Sequence, residues 1–273
     1  MEDLLTALIA VSPPAERGLN ALMRETSARA LGLAPLPHQD AGGPPSDAER
    51  LVAEFAEQFS TDVSVITADQ RDALVGVLGA NSFRVVALMF IGDFLPRVRA
   101  GFLALGLPDV VDPDGWEPDT DPVDLLLNRF AGTVGALRAL DPVTTEVIRL
   151  RGAAAHNCRL CKSLRESAAL DAGGSESLYA DIEQYESSIR LTDAHKAALR
   201  YVDALVWTPS AIPAEVASAV RGYYSDAQAG EITVDVMRNA LNKIAVALGA
   251  DAPRVTEGTE LYRLGADGVP VYG

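Results

Sequence analysis

Apolar residues recur three and four positions apart through most of this chain, the period of helices that bury one face. In "SDAERLVAEFAEQF", Ser46 and Glu49 stand at capping-box spacing, and Leu51, Val52, Phe55 and Phe59 share one helical face. About 146 positions later "TDAHKAALRYVDALV" repeats the design, with Asp193 as the expected cap and Ala198, Tyr201, Val202 and Leu205 on the buried face. Each helix leads into a matching boundary. "ITADQRDALVGVLG" starts at Ile66, with Thr67 and Gln70 as a second capping box, and "IPAEVASAVRGYY" starts at Ile212, with Pro213 suited to a first helical position. A further helix is expected after each, "FRVVALMFIGDFLPRVRAGFLALGLP" in the first half and "TVDVMRNALNKIAVALGADAP" in the second, and "RETSARALG" at Arg24 matches "RESAALDAG" at Arg165. Two copies of so long a unit read as a tandem duplication, not a solenoid.

The breaks divide the chain. "DVVDPDGWEPDTDP", residues 109–122, holds three prolines, a glycine and six acidic residues and reads as a linker between a first helical repeat (1–108) and a second (123–253). The tail, 254–273, replaces helical periodicity with Gly, Val and Tyr around an Ala-Asp-Gly turn, which predicts a short hairpin or an arm over a neighbouring subunit. A Pro/Gly-rich loop, "LAPLPHQDAGGPPS", interrupts the first copy.

Composition narrows the class. With 273 residues, 48 % apolar and only 6 % aromatic, at a mean hydropathy of +0.11, the chain is expected to be all-α. A net charge of −15 without a basic stripe excludes a phosphate backbone as partner, so no nucleic acid is expected. The N-terminus starts acidic and lacks a basic leader region, and no run of about eighteen apolar residues is read, so neither signal peptide nor membrane span is expected. A cytoplasmic protein follows as the expectation. There, a lone close pair of cysteines is more often catalytic or metal-binding than a structural staple.

That pair is Cys158 and Cys161 in "AHNCRLCKSLRES", and the corresponding part of the first half has none. "DPVTTEVIRLRGAAAHN" predicts a helix begun after Pro142, and "KSLRESAALDAG" one closed by Gly173 and Gly174. The pair would then sit at a helix start, where amide donors and the dipole favour thiolate, the nucleophilic form. Arg165, four residues after Cys161, would lower the thiol pKa from one turn along. Glu146, twelve residues before Cys158, can pack against the pair as a proton acceptor. The bland alternatives are a solvated Glu146 or one paired with Arg149 or Arg165, and a capping or surface His156. His38 and His195 read as structural, and Trp116 and Trp207 as packing anchors.

Glu146, the twelve-residue interval and Cys158-Arg-Leu-Cys161, followed by an alanine-rich segment ending in glycine, resemble the alkylhydroperoxidase D / carboxymuconolactone decarboxylase family over about residues 140 to 175. The resemblance implies an all-helical fold built on a repeated unit, a thiol-dependent peroxidase or disulfide oxidoreductase acting on hydroperoxides, and a dithiol–disulfide cycle. It implies attack by Cys161, resolution by Cys158 and a proton relay through Glu146. The usual histidine four residues after the second cysteine is replaced by Arg165, which cannot shuttle protons near neutral pH; His156 is the remaining nearby imidazole. It further implies a dithiol, lipoyl or thioredoxin-like reductant and a homo-oligomer, with no cofactor.

Other readings stay open for the cysteines: a metal site with His156 and Glu146, or two buried small hydrophobes. Against the enzyme stands a non-catalytic helical binding or assembly module derived from the same family. Decarboxylase chemistry, the other named branch, does not rely on a CxxC pair.

Overall fold

The computed structural model describes residues 1–39 and 43–272; positions 40–42 of the Pro/Gly-rich loop and the last residue of the tail lie outside the described residues. Helices α1 (Glu2–Ala10) and α2 (Arg17–Leu31) precede α3 (Asp47–Thr61), where the Ser46 hydroxyl accepts from the Glu49 amide and the Glu49 carboxylate accepts from the Ser46 amide. The Thr67/Gln70 box starts α4 (Ala68–Leu78), which leads into α5 (Ser82–Leu105). Both boxes occur as read from the sequence.

In the second half a π-helical stretch, Asp124–Phe130, runs into α6 (Ala131–Gly135). There follow α7 (Pro142–Ala155), the single turn α8 (Arg159–Lys162), a short strand β1 (Leu164–Glu166), α9 (Ser167–Asp171) and α10 (Glu176–Tyr179). The rest is α11 (Asp193–Trp207), α12 (Ala214–Tyr223), α13 (Asp226–Ala240), α14 (Asn242–Ala247), β2 (Glu260–Leu264) and β3 (Pro270–Tyr272). Thr192, not Asp193, caps α11, because its hydroxyl accepts from the His195 amide and His195 completes the box. The single helix expected across "KSLRESAALDAG" is also corrected: strand β1 interrupts it.

The fold is all-α with one small sheet among the described residues. β2 pairs antiparallel with β3 and parallel with β1, so the tail forms the hairpin alternative and lies on the strand that follows the cysteines. At its turn Gly268 has φ +74°, and a Cβ there would collide with the Gly132 carbonyl, so only glycine lets the hairpin seat against α6.

Helix α5 is central. Every residue from Val85 to Val98 is buried, and α2, α11, α12, α13 and α14 pack around it. One hydrophobic cluster runs from Leu5 to Ala247 through both halves; a smaller one, including Val147, Tyr179, Ile182 and Leu199, backs α7. Contrary to expectation, Ala68–Leu105 is apolar enough by length and composition to cross a membrane, with a window of mean hydropathy 1.9; half of that window is buried inside this fold. Within the core Asp93 binds Arg97 (2.8 Å) and Lys243, and Arg97 donates to the Ser60 (2.6 Å) and Leu205 (3.2 Å) carbonyls, tying α3, α5, α11 and α14 together. Gly101 makes room for the buried Tyr201 hydroxyl of α11, which a Cβ there would strike.

The acidic segment 109–122 is strapped down. Glu117 exchanges backbone hydrogen bonds with Ala10 and Ser12, and Arg99 binds both Asp109 and Asp112. The order 15-residue helix, short 3-10 turn, isoleucine boundary and helix recurs at α3–α4 and α11–α12. The Arg24–Arg165 correspondence fails: Arg24 is a buried helical residue donating to the Ile9, Val11 and Pro37 carbonyls, whereas Arg165 lies in a strand.

Candidate functional site

Asp141 caps α7 and Pro142 occupies its first turn, where a missing N–H costs nothing. At the other end Asn157 takes φ 51°, a left-handed turn that asparagine tolerates, and the chain reverses so that the Cys158 amide donates to the Ala153 carbonyl at 3.0 Å. Cys158 then caps α8, its sulfur accepting from the Cys161 amide at 3.2 Å. Both cysteines are free thiols, with sulfurs 2.7 Å apart; Cys158 is fully buried and Cys161 half-buried. Asp251, just beyond α14, anchors the turn by accepting from the Arg159 amide (2.9 Å) and guanidinium (2.6 Å).

The pair shares its protons unequally. Cys161 is held below the ordinary thiol pKa, first by the hydrogen bond from Cys158 and then by the Arg149 charge and the Asn242 amide, against the opposing effects of burial and Asp251. Cys158 is pushed up by the same hydrogen bond, by burial and by the neighbouring thiolate, with the Cys161 amide opposing. Losing the first proton therefore leaves the charge on Cys161 and the remaining proton on Cys158.

Arg149 holds this arrangement. Its guanidinium donates to both Glu146 carboxylate oxygens (2.6 and 2.7 Å), to the Cys161 carbonyl (2.8 Å) and to the Leu164 carbonyl (2.7 Å). Glu146 is 1 % exposed and also accepts from the Glu166 amide at 3.2 Å. It thus reaches the cysteines through Arg149, and the ion-pair alternative describes its contacts.

Arg165 is corrected as the cation beside Cys161. Because residues 164–166 form a strand, its side chain turns to Glu176 (2.7 and 2.9 Å) and over the Tyr179 ring. His156 is also moved from its expected role. It is buried, and its Nδ1 lies 2.9 Å from Asn242 Oδ1; burial and the nearby Lys243 charge lower its pKa to about 3, so the ring is neutral. It stands at the C-terminal cap of α7, its backbone amide donating to the Gly152 carbonyl, and its ring makes no hydrogen bond to either sulfur among the described residues.

Sequence reasoning missed Arg149 as the thiol's cation, although its three-residue spacing from Glu146 was visible. It missed Asn242 and Asp251 altogether, because no local pattern links them to residues 158–161. The C-terminal hairpin was also missed as part of the site.

Two cavities meet here. One, about 250 Å³, is lined by Cys158, Cys161, Asn242, Tyr262 and Tyr272; the other, about 210 Å³, by Glu146, Glu166 and Asp235. Arg149, Arg238, Asn239 and Tyr262 form the wall common to both. Asp235, 3 % exposed and without a hydrogen-bond partner among the described residues, has a pKa raised to about 7, chiefly by burial. Among the described residues no three His, Cys, Asp or Glu side chains converge as metal ligands.

The chain is 53 % identical to two uncharacterized proteins of Mycobacterium tuberculosis, from strains CDC 1551 / Oshkosh and H37Rv, in alignments covering all of this chain and 98 % of each relative. No family model matches the chain, and no solved structure does.

Proposed function

The chain belongs to one family with the two mycobacterial proteins, and we propose that it is a thiol-dependent peroxidase or disulfide oxidoreductase of the alkylhydroperoxidase D type. The observation that carries this reading is the free Cys158/Cys161 pair at a cavity, with the thiolate favoured on Cys161. Free cysteines that merely pack have no need of a buried guanidinium beside them.

The reaction balances as follows. Cys161 thiolate attacks the terminal peroxide oxygen, the S–O bond forms, the O–O bond breaks, and the alkoxide leaves as alcohol on taking the proton retained by Cys158. Cys158 thiolate then attacks the sulfenic sulfur, closing the disulfide and releasing hydroxide, which solvent protonates. Two electrons pass from dithiol to peroxide, and an external dithiol restores the pair by exchange. With Arg165 turned away and His156 neutral and engaged, Cys158 is the proton source nearest the reacting sulfur.

Glu146 then serves by holding Arg149 in place, a positioning role. The duplication, the cytoplasmic setting and a homo-oligomer belong to the same proposal, with the recurring order of α3–α4 and α11–α12 supporting the first.

Peroxide consumption with a small dithiol tests the reading. The expected result is turnover by the native protein, loss of two hydrogens from the peptide holding both cysteines, and no turnover by Cys161→Ser or Cys158→Ser. No consumption, together with an ordinary thiol pKa, would leave the non-catalytic helical module.

A further inference from the structure

Helix α13 ends at Ala240, and after Leu241 the helix resumes with Asn242 as the first residue of α14. The joint places the Asn242 side chain in the wall of the dithiol cavity. Its oxygen faces the His156 ring nitrogen at 2.9 Å in a buried contact. A carbonyl oxygen only accepts, so His156 carries its proton on Nδ1 and donates. The amide's other end, Nδ2, is buried and makes no hydrogen bond among the described residues in the resting dithiol; Asn242 and Cys161 line the same cavity, and the amide is one of the groups that favour the thiolate there. An unpartnered buried donor is costly, and a developing anion opposite it removes that cost.

We propose that Asn242, oriented by His156, is a positioning residue that presents its amide N–H to the Cys161 sulfur and stabilises the attacking thiolate. The reversed amide would set a carbonyl oxygen against the anion; the observed pairing, with the Asn242 oxygen on His156 Nδ1, leaves the N–H end for the sulfur. His156 suits this task because it stays neutral. Lys243 and Arg97 lie near it, and a second proton on the ring would add to their charge. The histidine acts on the sulfur through an asparagine, which answers how a site without the usual imidazole can still lower a thiol pKa. The other groups that face Cys161 are Cys158 at the start of α8, Arg149 from α7 and Asp251 after α14, with Arg238 of α13 and Tyr262 of β2 on the cavity wall.

The inference rests on the thiol reading above, and its test is separate from turnover. Alkylation of Cys161 by iodoacetamide is followed across pH, with the site located by mass spectrometry and folding checked by melting. Asn242→Asp keeps the shape and the bond from His156 but turns an acceptor to the sulfur. The expected result is a Cys161 alkylation rate near pH 7 lowered about tenfold, the profile moving about one pH unit upward. In a second pair, His156→Gln retains a side-chain donor and keeps the native profile, whereas His156→Leu shifts it in the direction of Asn242→Asp. A folded Asn242→Asp with the native profile overturns the proposal, and so do His156→Gln and His156→Leu proteins that behave alike. A Cys161 profile that depends on Asn242 in a protein that consumes no peroxide upholds this inference while sinking the peroxidase reading.

Discussion

A guanidinium bound at once to a carboxylate and to the Cys161 carbonyl has little freedom to swing away, so the cation beside the thiolate is a fixed part of the site. Arg165, committed to Glu176, is not. Arg165→Ala is therefore expected to leave Cys161 alkylation at pH 7 within about twofold of native, whereas Arg149→Met should slow it and destabilise the fold by about 3–5 kcal/mol, since the buried Glu146 would lose its counter-charge and keep only the Glu166 amide. Asp235 supplies a pH test. Its folded pKa of about 7 exceeds the ordinary aspartate value of 3.8, so the folded state binds more protons between those values and stability falls as pH rises through the window. Asp235→Asn should raise unfolding free energy by about 1–4 kcal/mol at pH 8 and leave it nearly unchanged at pH 4, measured by denaturant titration.

Among the elements, the C-terminal hairpin connects most directly to the chemistry. Tyr262 is buried on β2 with the Arg149 guanidinium 5.7 Å from its ring centre, and its strand pairs with β1 immediately downstream of the cysteines. The hairpin therefore roofs the dithiol cavity and steadies its cation. Tyr262→Ala is expected to cost about 2–4 kcal/mol and to speed modification of Cys161 by a bulky maleimide. Protection equal to the native protein's would mean that the roof does not limit access.

Across the whole molecule, stability and site geometry share one set of buried charges. Asp93 pairs with both Arg97 and Lys243 at the centre of the core, and Lys243 adjoins Asn242 in sequence. Burial lowers the Lys243 pKa to about 8, with Asp93 opposing that fall and Arg97 adding to it. Asp93→Ala would leave two buried cations unpaired and should destabilise by about 3–5 kcal/mol, with calorimetry as the measure. A smaller change with unaltered heat capacity would mean that water reaches this cluster.

The amino-acid sequence by itself determined what depends on neighbours along the chain. The capping boxes at Ser46 and Thr67, the start of α7 at Pro142, the amphipathic faces of α3 and α11, and the placing of Cys158 at a turn start all follow from side chains within a few positions of the backbone they satisfy. Candidate chemistry was legible for the same reason, because the CxxC spacing and the Glu146 interval are local. Tertiary structure decided what surrounds the sulfurs. The strand at residues 164–166 forms because β2, nearly a hundred positions later, pairs with it, and that pairing carries Arg165 away from Cys161. Asn242 and Asp251 reach residues 156–161 only after α13 packs against α7 and α14 against α5. Thiol acidity is a sum over charges and donors within a few ångströms, and most of those within reach of Cys161 are set by packing.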